Sequence, residues 1–402
     1  MTAAVHNLAT PDLALARYKT ILAGIAALIL TIGLARFAYT PLLPEMRAHA
    51  GLSAQAGGWL AAINYMGYIA GALVASSIAD LERKFVFYRA GLIVGALSTA
   101  AMGLTQDIYL WGVLRFIAGL AGAAGLLISS GLVLNWLMRH GFKPELGLHF
   151  GGLGVGVAIS GLAAVAMAGA LDWSAQWLTL GALCCVFFLP AWGWMPRPQP
   201  AHGQSGAAFI PPPPPSRRWT MWMVAAYGCA GVGFVVSATF IVAIIGRLPL
   251  PPGSGPWVWV LVGVSAAPSC FLWDRVQRGV GAFPALLAAY ALQIASVLLS
   301  ALFDGMAANL LGAALFGVTF VGIVSLTLTL IGRRFPANPA KAMARLTLSY
   351  GAAQILAPVA AGQMAAQTGD YRGALYLAAA ALTIGMACLL AAQRAEMAAA
   401  AP

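Results

Sequence analysis

An all-α membrane protein, with twelve transmembrane helices in two pseudo-symmetric six-helix bundles, follows from three features of this sequence. Of its 402 residues 61% are hydrophobic and only 8% are charged, whereas a water-soluble domain is typically about a quarter charged. The apolar residues come in runs near the roughly 20 residues a helix needs to cross a bilayer. A proline-rich break near the middle leaves equal numbers of runs on either side.

In order, the runs fall at 20–44, 57–79, 86–104, 108–136, 146–170 and 175–195, then 219–245, 257–273, 283–302, 306–331, 342–367 and 374–392. The eighth is the shortest. No short apolar region closed by a small-residue cleavage site precedes the first run, so that run is expected to stay as a span. The break is 196–218, PRPQPAHGQSGAAFIPPPPPSRR. Its proline run favours extended polyproline and cannot form a helix. The expected division is a first bundle at 1–195, a cytoplasmic linker at 196–218 and a second bundle at 219–402. The linker reads as a connection between bundles; the other reading is a docking site for a cytoplasmic partner.

Orientation follows from the basic residues. Seventeen of the 22 Lys and Arg residues fall on one side, among them Arg83, Lys84, Arg139, Arg217, Arg218, Arg333 and Arg334. The other side has Arg36, Arg47, Arg247 and Arg372, and Arg115 lies within a span. The positive-inside rule then places both termini and the linker in the cytoplasm, with the chain in a bacterial inner membrane. The net charge of +11 is spread over span ends rather than gathered in a stripe, which excludes a nucleic-acid partner. The five cysteines lie inside apolar runs with no Cys-x-x-Cys pair, so neither a disulfide framework nor a metal site is expected.

The halves echo one another, as an internal duplication would. Asp80-Leu-Glu-Arg83-Lys84 closes the second run, and Asp274-Arg275 closes the eighth. Gly33 with Thr40 in the first run has a counterpart in Gly233 with Thr239 in the seventh. Two six-helix repeats with a midplane site between them is a transporter architecture.

The stretch GLARFAYTPLLP (33–44) is the most informative of all. It puts Arg36 inside a membrane span, where a charge is costly and marks function. Pro41 and Pro44 are expected to loosen the helix as it leaves the bilayer. Arg115 lies eight residues into the fourth span, and Arg36 eight residues before the first one surfaces. At 1.5 Å per residue both sit about 12 Å below the same membrane face. Two guanidiniums at one depth form a site for a carboxylate or phosphate. The alternative for Arg115 is a structural one, bonding carbonyls of neighbouring helices. No span centre carries Asp or Glu, which argues against export of a cation met by a buried acid.

GLARFAYTPLLP, together with GGWLAAINYMGY (57–68), the acidic-then-basic turn at 80–84, RFIAGLAGA (115–123) and GAAQILAPVAAG (351–362), resembles the major facilitator superfamily, and within it the YbfB/YjiJ-type branch. The resemblance implies a monomeric secondary transporter whose first and fourth spans line a central cavity. It also implies a conformational switch at Asp80, Arg83 and Lys84 with a second copy at Asp274 and Arg275. There Asp80 would secure the outward-open state by facing a helix N-terminus. The sequence departs from the family pattern at Ser76, Leu81 and Cys270, where glycine, a basic residue and glycine are usual.

The expected function is therefore secondary transport of a small organic anion by alternating access, with no catalytic residues and no cofactor. Its substrate-binding residues are Arg36, Arg115, Tyr39, Asn64, Tyr68, Tyr227, Thr239 and Gln354, with Tyr65 and Tyr350 as further cavity candidates. The same amides and phenols can instead serve helix packing. A coupled proton would travel on an acidic substrate or on His149, which reads as an interfacial residue at its span's edge. The glycines of the fifth span, Gly147, Gly151, Gly152, Gly154, Gly156 and Gly161, lack a phosphate-loop lysine and read as a packing surface. The glycine–proline step of antiporters is missing there, so export is not supported. The rivals are efflux of apolar or cationic drugs and, from another class, a membrane sensor or scaffold recruiting a partner through the linker.

Overall fold

The chain is all helix and loop in a computed structural model that describes residues 11–143, 146–199, 215–246, 254–335 and 339–400. The first half comprises α1 (Asp12–His49), α2 (Ala54–Ser77), α3 (Leu81–Leu104), α4 (Ile108–Arg139), α5 (Gly147–Met167) and α6 (Trp173–Gly193). In the second half α7 is Arg217–Ile245, and α8 is the pair Gly255–Ala266 and Ser269–Val280, bent by 43°. Then come α9 (Ala282–Leu302), α10 (Met306–Arg334), α11 (Pro339–Thr368) and α12 (Arg372–Ala398). Ten of these are apolar and long enough to cross a bilayer, and the bent pair makes eleven. The twelfth, α11, is 30 residues long and carries Lys341, Arg345, Gln354, Gln363 and Gln367. Most of the proline-rich linker, including Pro211–Pro214, lies outside the described residues.

Five helix starts are each closed by a side chain suited to it. Ser53, Asp80, Asp107, Asp172 and Ser216 each accept a hydrogen bond from a backbone N–H in the first turn, satisfying donors the helix cannot. The bend in α8 falls at Ala267-Pro268, where proline lacks the N–H that would continue the ladder.

Two expectations are corrected here. Pro41 and Pro44 do not unwind the first span, because the helix runs on to His49. The irregularity sits earlier, in a nine-residue π-helix, Ile29–Phe37, followed by a turn at Ala38. Helix restarts at Tyr39, so Pro41 falls in a first turn, where a missing N–H is tolerated. The second correction concerns the duplication. Asp80 caps α3 through Arg83 N at 2.7 Å, whereas Asp274 lies mid-helix and pairs with Arg278 at 3.0 Å, one turn on. The two aspartates occupy different local structures because α8 continues past its aspartate while α2 ends before Asp80.

Small residues set the packing between elements. A Cβ at Gly33 would meet the Gly156 backbone at 2.5 Å, and one at Gly119 would meet Tyr68 N at 2.7 Å. The halves meet along α5 and α8, where Gly154 and Gly161 press against Ala267 and Val260. The fifth span's glycines thus pack as expected at these positions.

The halves also join at the face away from the termini. Thr40 Oγ1 donates to Ala238 O at 2.5 Å, Arg47 Nη1 to Tyr371 Oη at 2.8 Å, and Trp259 Nε1 to Ser160 Oγ at 3.1 Å. At that end Gly58 of α2 lies directly against the Pro358 carbonyl of α11. Gly131 has nothing within 4 Å of where a Cβ would stand. A cavity of about 260 Å³, lined by Ala75, Ser76, Lys84, Leu127 and Gly131 among others, opens between α2, α3 and α4.

Candidate functional site

The site begins with the π-helix in α1. A π-turn shifts backbone bonding by one residue and frees carbonyls near its end. Pro41 brings no N–H back to that turn. Arg115 of α4 fills the gap: its Nη1 donates to Ala35 O at 3.1 Å and its Nη2 to Arg36 O at 3.2 Å. The guanidinium also lies over the Tyr39 ring, 4.5 Å from its centroid. A lysine, with a single point charge, cannot reproduce this fork. Ala124–Ile128 of α4, next to Arg115's helix segment, is itself π-helical.

Arg36 follows directly. Its guanidinium sits between two rings of α2, 4.5 Å from the Tyr65 centroid and 4.4 Å from that of Tyr68. Both arginines are buried, at 6% and 3% exposure. Among the described residues neither forms an ion pair with a carboxylate, and the Nε of each has no hydrogen-bond partner. Ring faces supply part of the missing counter-charge, about 0.5–2 kcal/mol per contact.

Around them the expected residues divide. Asn64 donates to Arg115 O at 2.8 Å and leaves its buried Oδ1 without a partner. The Tyr39 hydroxyl is spent on Gly57 O at 2.9 Å. Arg36, Arg115, Tyr39, Asn64, Tyr65 and Tyr68 therefore form one group built on α1, α2 and α4. Tyr227 of α7 stacks on Tyr350 of α11 with centroids 4.5 Å apart. Thr239 is buried on α7, and Gln354 is buried on α11 one turn beyond Tyr350.

Several contributors escaped sequence reasoning. Phe234 of α7 touches Phe37 and Tyr65 edge-on, at 6.3 and 6.4 Å, and packs against Phe316, Phe320 and Tyr350 within 6.2 Å. Phe316 and Phe320, four apart on one face of α10, were a visible helical pair within an apolar run. Phe234 gave no such signal. The reading of His149 as an interfacial residue is corrected. It is 1% exposed and its Nε2 lies 2.8 Å from Ser130 Oγ. Gly24 makes the room, since a Cβ there would come within 2.5 Å of the His149 ring.

The residues expected to form a switch, Asp80, Arg83, Lys84, Asp274 and Arg275, are at the face bearing the termini. Asp80 accepts from Arg83 N and so holds its own helix start. Among the described residues neither Asp80, Arg83, Lys84 nor Arg275 takes part in an ion pair. No group of three or more His, Cys, Asp or Glu able to hold a metal occurs among the described residues.

Two six-helix halves of membrane-length apolar helices, with a buried arginine beside the rings that join them, define a membrane transporter of the major facilitator fold. Residues 28–390 match the family described as uncharacterised MFS-type transporter YbfB, and the chain belongs to that family. No curated protein matches the sequence. Among solved structures, an aspartate-to-alanine mutant of the nucleoside transporter NupG superposes with a TM-score of 0.74 at 13% identity, covering 93% of this chain and 99% of that one. Unmutated NupG gives 0.72 at 13% identity, covering 94% and 98%. A bacterial homolog of the human lysosomal transporter Spinster, in an inward-facing and occupied conformation, gives 0.68 at 14% identity, covering 96% and 98%. At these identities the likeness is one of fold.

Proposed function

We propose that the protein is a secondary active transporter of a small organic anion, working by alternating access between its halves. One observation carries this reading: Arg36 is buried against Tyr65, a ring that touches Phe234 of the second half, with Arg115 buried behind it in the first half and no carboxylate paired to either among the described residues. A buried cation without a counter-charge costs several kcal/mol, on the order of 3–5 when a partner is removed. An anionic substrate entering the junction removes that cost. Arg115 is engaged with two carbonyls and braces α1, so Arg36 is the arm that meets the ligand, with Asn64, Tyr65 and Tyr68 around it.

The Lys and Arg asymmetry supports placing both termini in the cytoplasm of a bacterial inner membrane. With that orientation the cross-half bonds of Thr40, Arg47 and Trp259 close the outer face. Substrate bound at Arg36 stabilises the occluded state, and the halves rock around it. Export of cations is disfavoured because Arg36 already fills the Tyr65–Tyr68 rings and would repel a second positive charge.

The test is a thermal-shift panel on the purified, detergent-solubilised chain, covering carboxylates, sugars, amino acids and cationic drugs. A ligand that binds only the folded state raises its stability. Carboxylate stabilisation lost in Arg36→Gln is the expected result. Cationic or neutral ligands that stabilise both proteins equally would overturn the reading.

A further inference from the structure

The junction has two unlike walls. One comes from α1 and α2 and offers a single available guanidinium, Arg36, with the unpartnered Oδ1 of Asn64 nearby. The facing wall comes from α7, α10 and α11 and is a continuous run of aromatic rings. Tyr227 stacks on Tyr350 with 27° between planes, Tyr350 on Phe234 with 26°, Phe234 on Phe316 with 23°, and Phe316 on Phe320 with 22°. Phe234 reaches across to Tyr65, the ring that carries Arg36.

We infer that the substrate is a planar aromatic monocarboxylate, its carboxylate on Arg36 and its ring against the Phe234–Tyr350 wall. This rests on the anion reading and deepens it. Three physical points lead there. A carboxylate matches one guanidinium bidentately, and Arg115's terminal nitrogens are already on the Ala35 and Arg36 carbonyls. Arg36, which among the described residues is on no backbone carbonyl, therefore takes one carboxylate, and a second carboxylate on the ligand would face aromatic carbon. Near-parallel rings present flat faces and edges that favour another aromatic ring over a saturated one of equal size. Finally, a ligand with its charge on one half and its ring on the other ties the two halves together, as occlusion requires.

The experiment titrates the full-length protein in nanodiscs with benzoate, cyclohexanecarboxylate, benzamide and terephthalate, at a pH where every carboxyl is ionised. Benzoate should bind about 2- to 12-fold more tightly than cyclohexanecarboxylate, terephthalate more weakly than benzoate, and benzamide not at all. Phe234→Leu should bring benzoate and cyclohexanecarboxylate to equal affinity, and Arg36→Gln should abolish both. The ligand series on the unaltered chain stands even where a variant does not fold. Equal binding of the two monocarboxylates overturns aromatic selection and leaves the anion reading intact. Terephthalate binding as tightly as benzoate overturns the single-carboxylate assignment. Binding of benzamide alone, or of no carboxylate, overturns the anion reading and this inference together.

Discussion

At the level of Arg36, α1 is wound as a π-helix whose end is held by a guanidinium from α4. In the second half α7 runs as unbroken α-helix from Arg217 to Ile245 and brings Phe234 to the same junction. The scaffold repeats, but the chemistry does not. A regular helix satisfies its own carbonyls and needs no cation, so the second half is free to present rings. The first half has opened its backbone, and the freed carbonyls orient the arginine that braces it. The two aspartates expected to form a switch differ in the same way. Asp80 stands at a helix start and serves the backbone, whereas Asp274 stands mid-helix and meets only a neighbouring side chain.

The sharpest way to break this comparison is to remove the charge from the first half. Arg36→Gln should lower carboxylate affinity at least about 30-fold, from the 2–5 kcal/mol carried by a buried charge pair. Isothermal titration would measure it, and a fold-change below three would move the binding function elsewhere. Next in size is the close approach of α1 to α5. Gly33→Val should cost about 1–3 kcal/mol through overpacking against Gly156, read as a lowered midpoint of thermal unfolding. An unchanged midpoint would mean that α1 and α5 are not held at this spacing.

Arg115→Lys tests the brace itself. It should cost about 1–3 kcal/mol by leaving a buried carbonyl of the π-helix without its donor. Its signature is loss of stability together with weaker carboxylate binding; weaker binding at unchanged stability would make Arg115 a direct ligand. The smallest effect separates the two aspartates. Asp80→Ala should destabilise by about 1 kcal/mol and Asp80→Asn by almost nothing, because asparagine caps as well as aspartate. Asp274→Ala, which loses only an exposed pair one turn long, should be silent in the same melts. Equal losses at the two positions would restore the symmetry that the structure denies.

Much of the site was legible because charge inside an apolar run is conspicuous. Arg36 and Arg115 stood out for that reason, and their common depth followed from helix rise alone. Asn64 and Tyr68 shared one face by their spacing of four. Of the aromatic wall only Tyr227 and Tyr350 were singled out, since Phe234, Phe316 and Phe320 look like ordinary lipid-facing or core residues in any apolar span. The bonding of Arg115 to the Ala35 and Arg36 carbonyls was open among several outcomes, because side-chain type does not reveal which backbone groups lack partners.

By itself, then, the sequence determined an all-helical membrane chain in two halves, through hydropathy and the spacing of its runs, together with the residues whose charge is out of place; its twelve runs compare with ten apolar spans, or eleven with the bent pair, among the described residues. Those properties are local and additive along the chain. Tertiary structure alone decided the π-helix in α1, the division of the junction into a cationic and an aromatic wall, and the different fates of Asp80 and Asp274. Each depends on which helix face meets which neighbour, and on backbone groups whose partners come from remote parts of the chain.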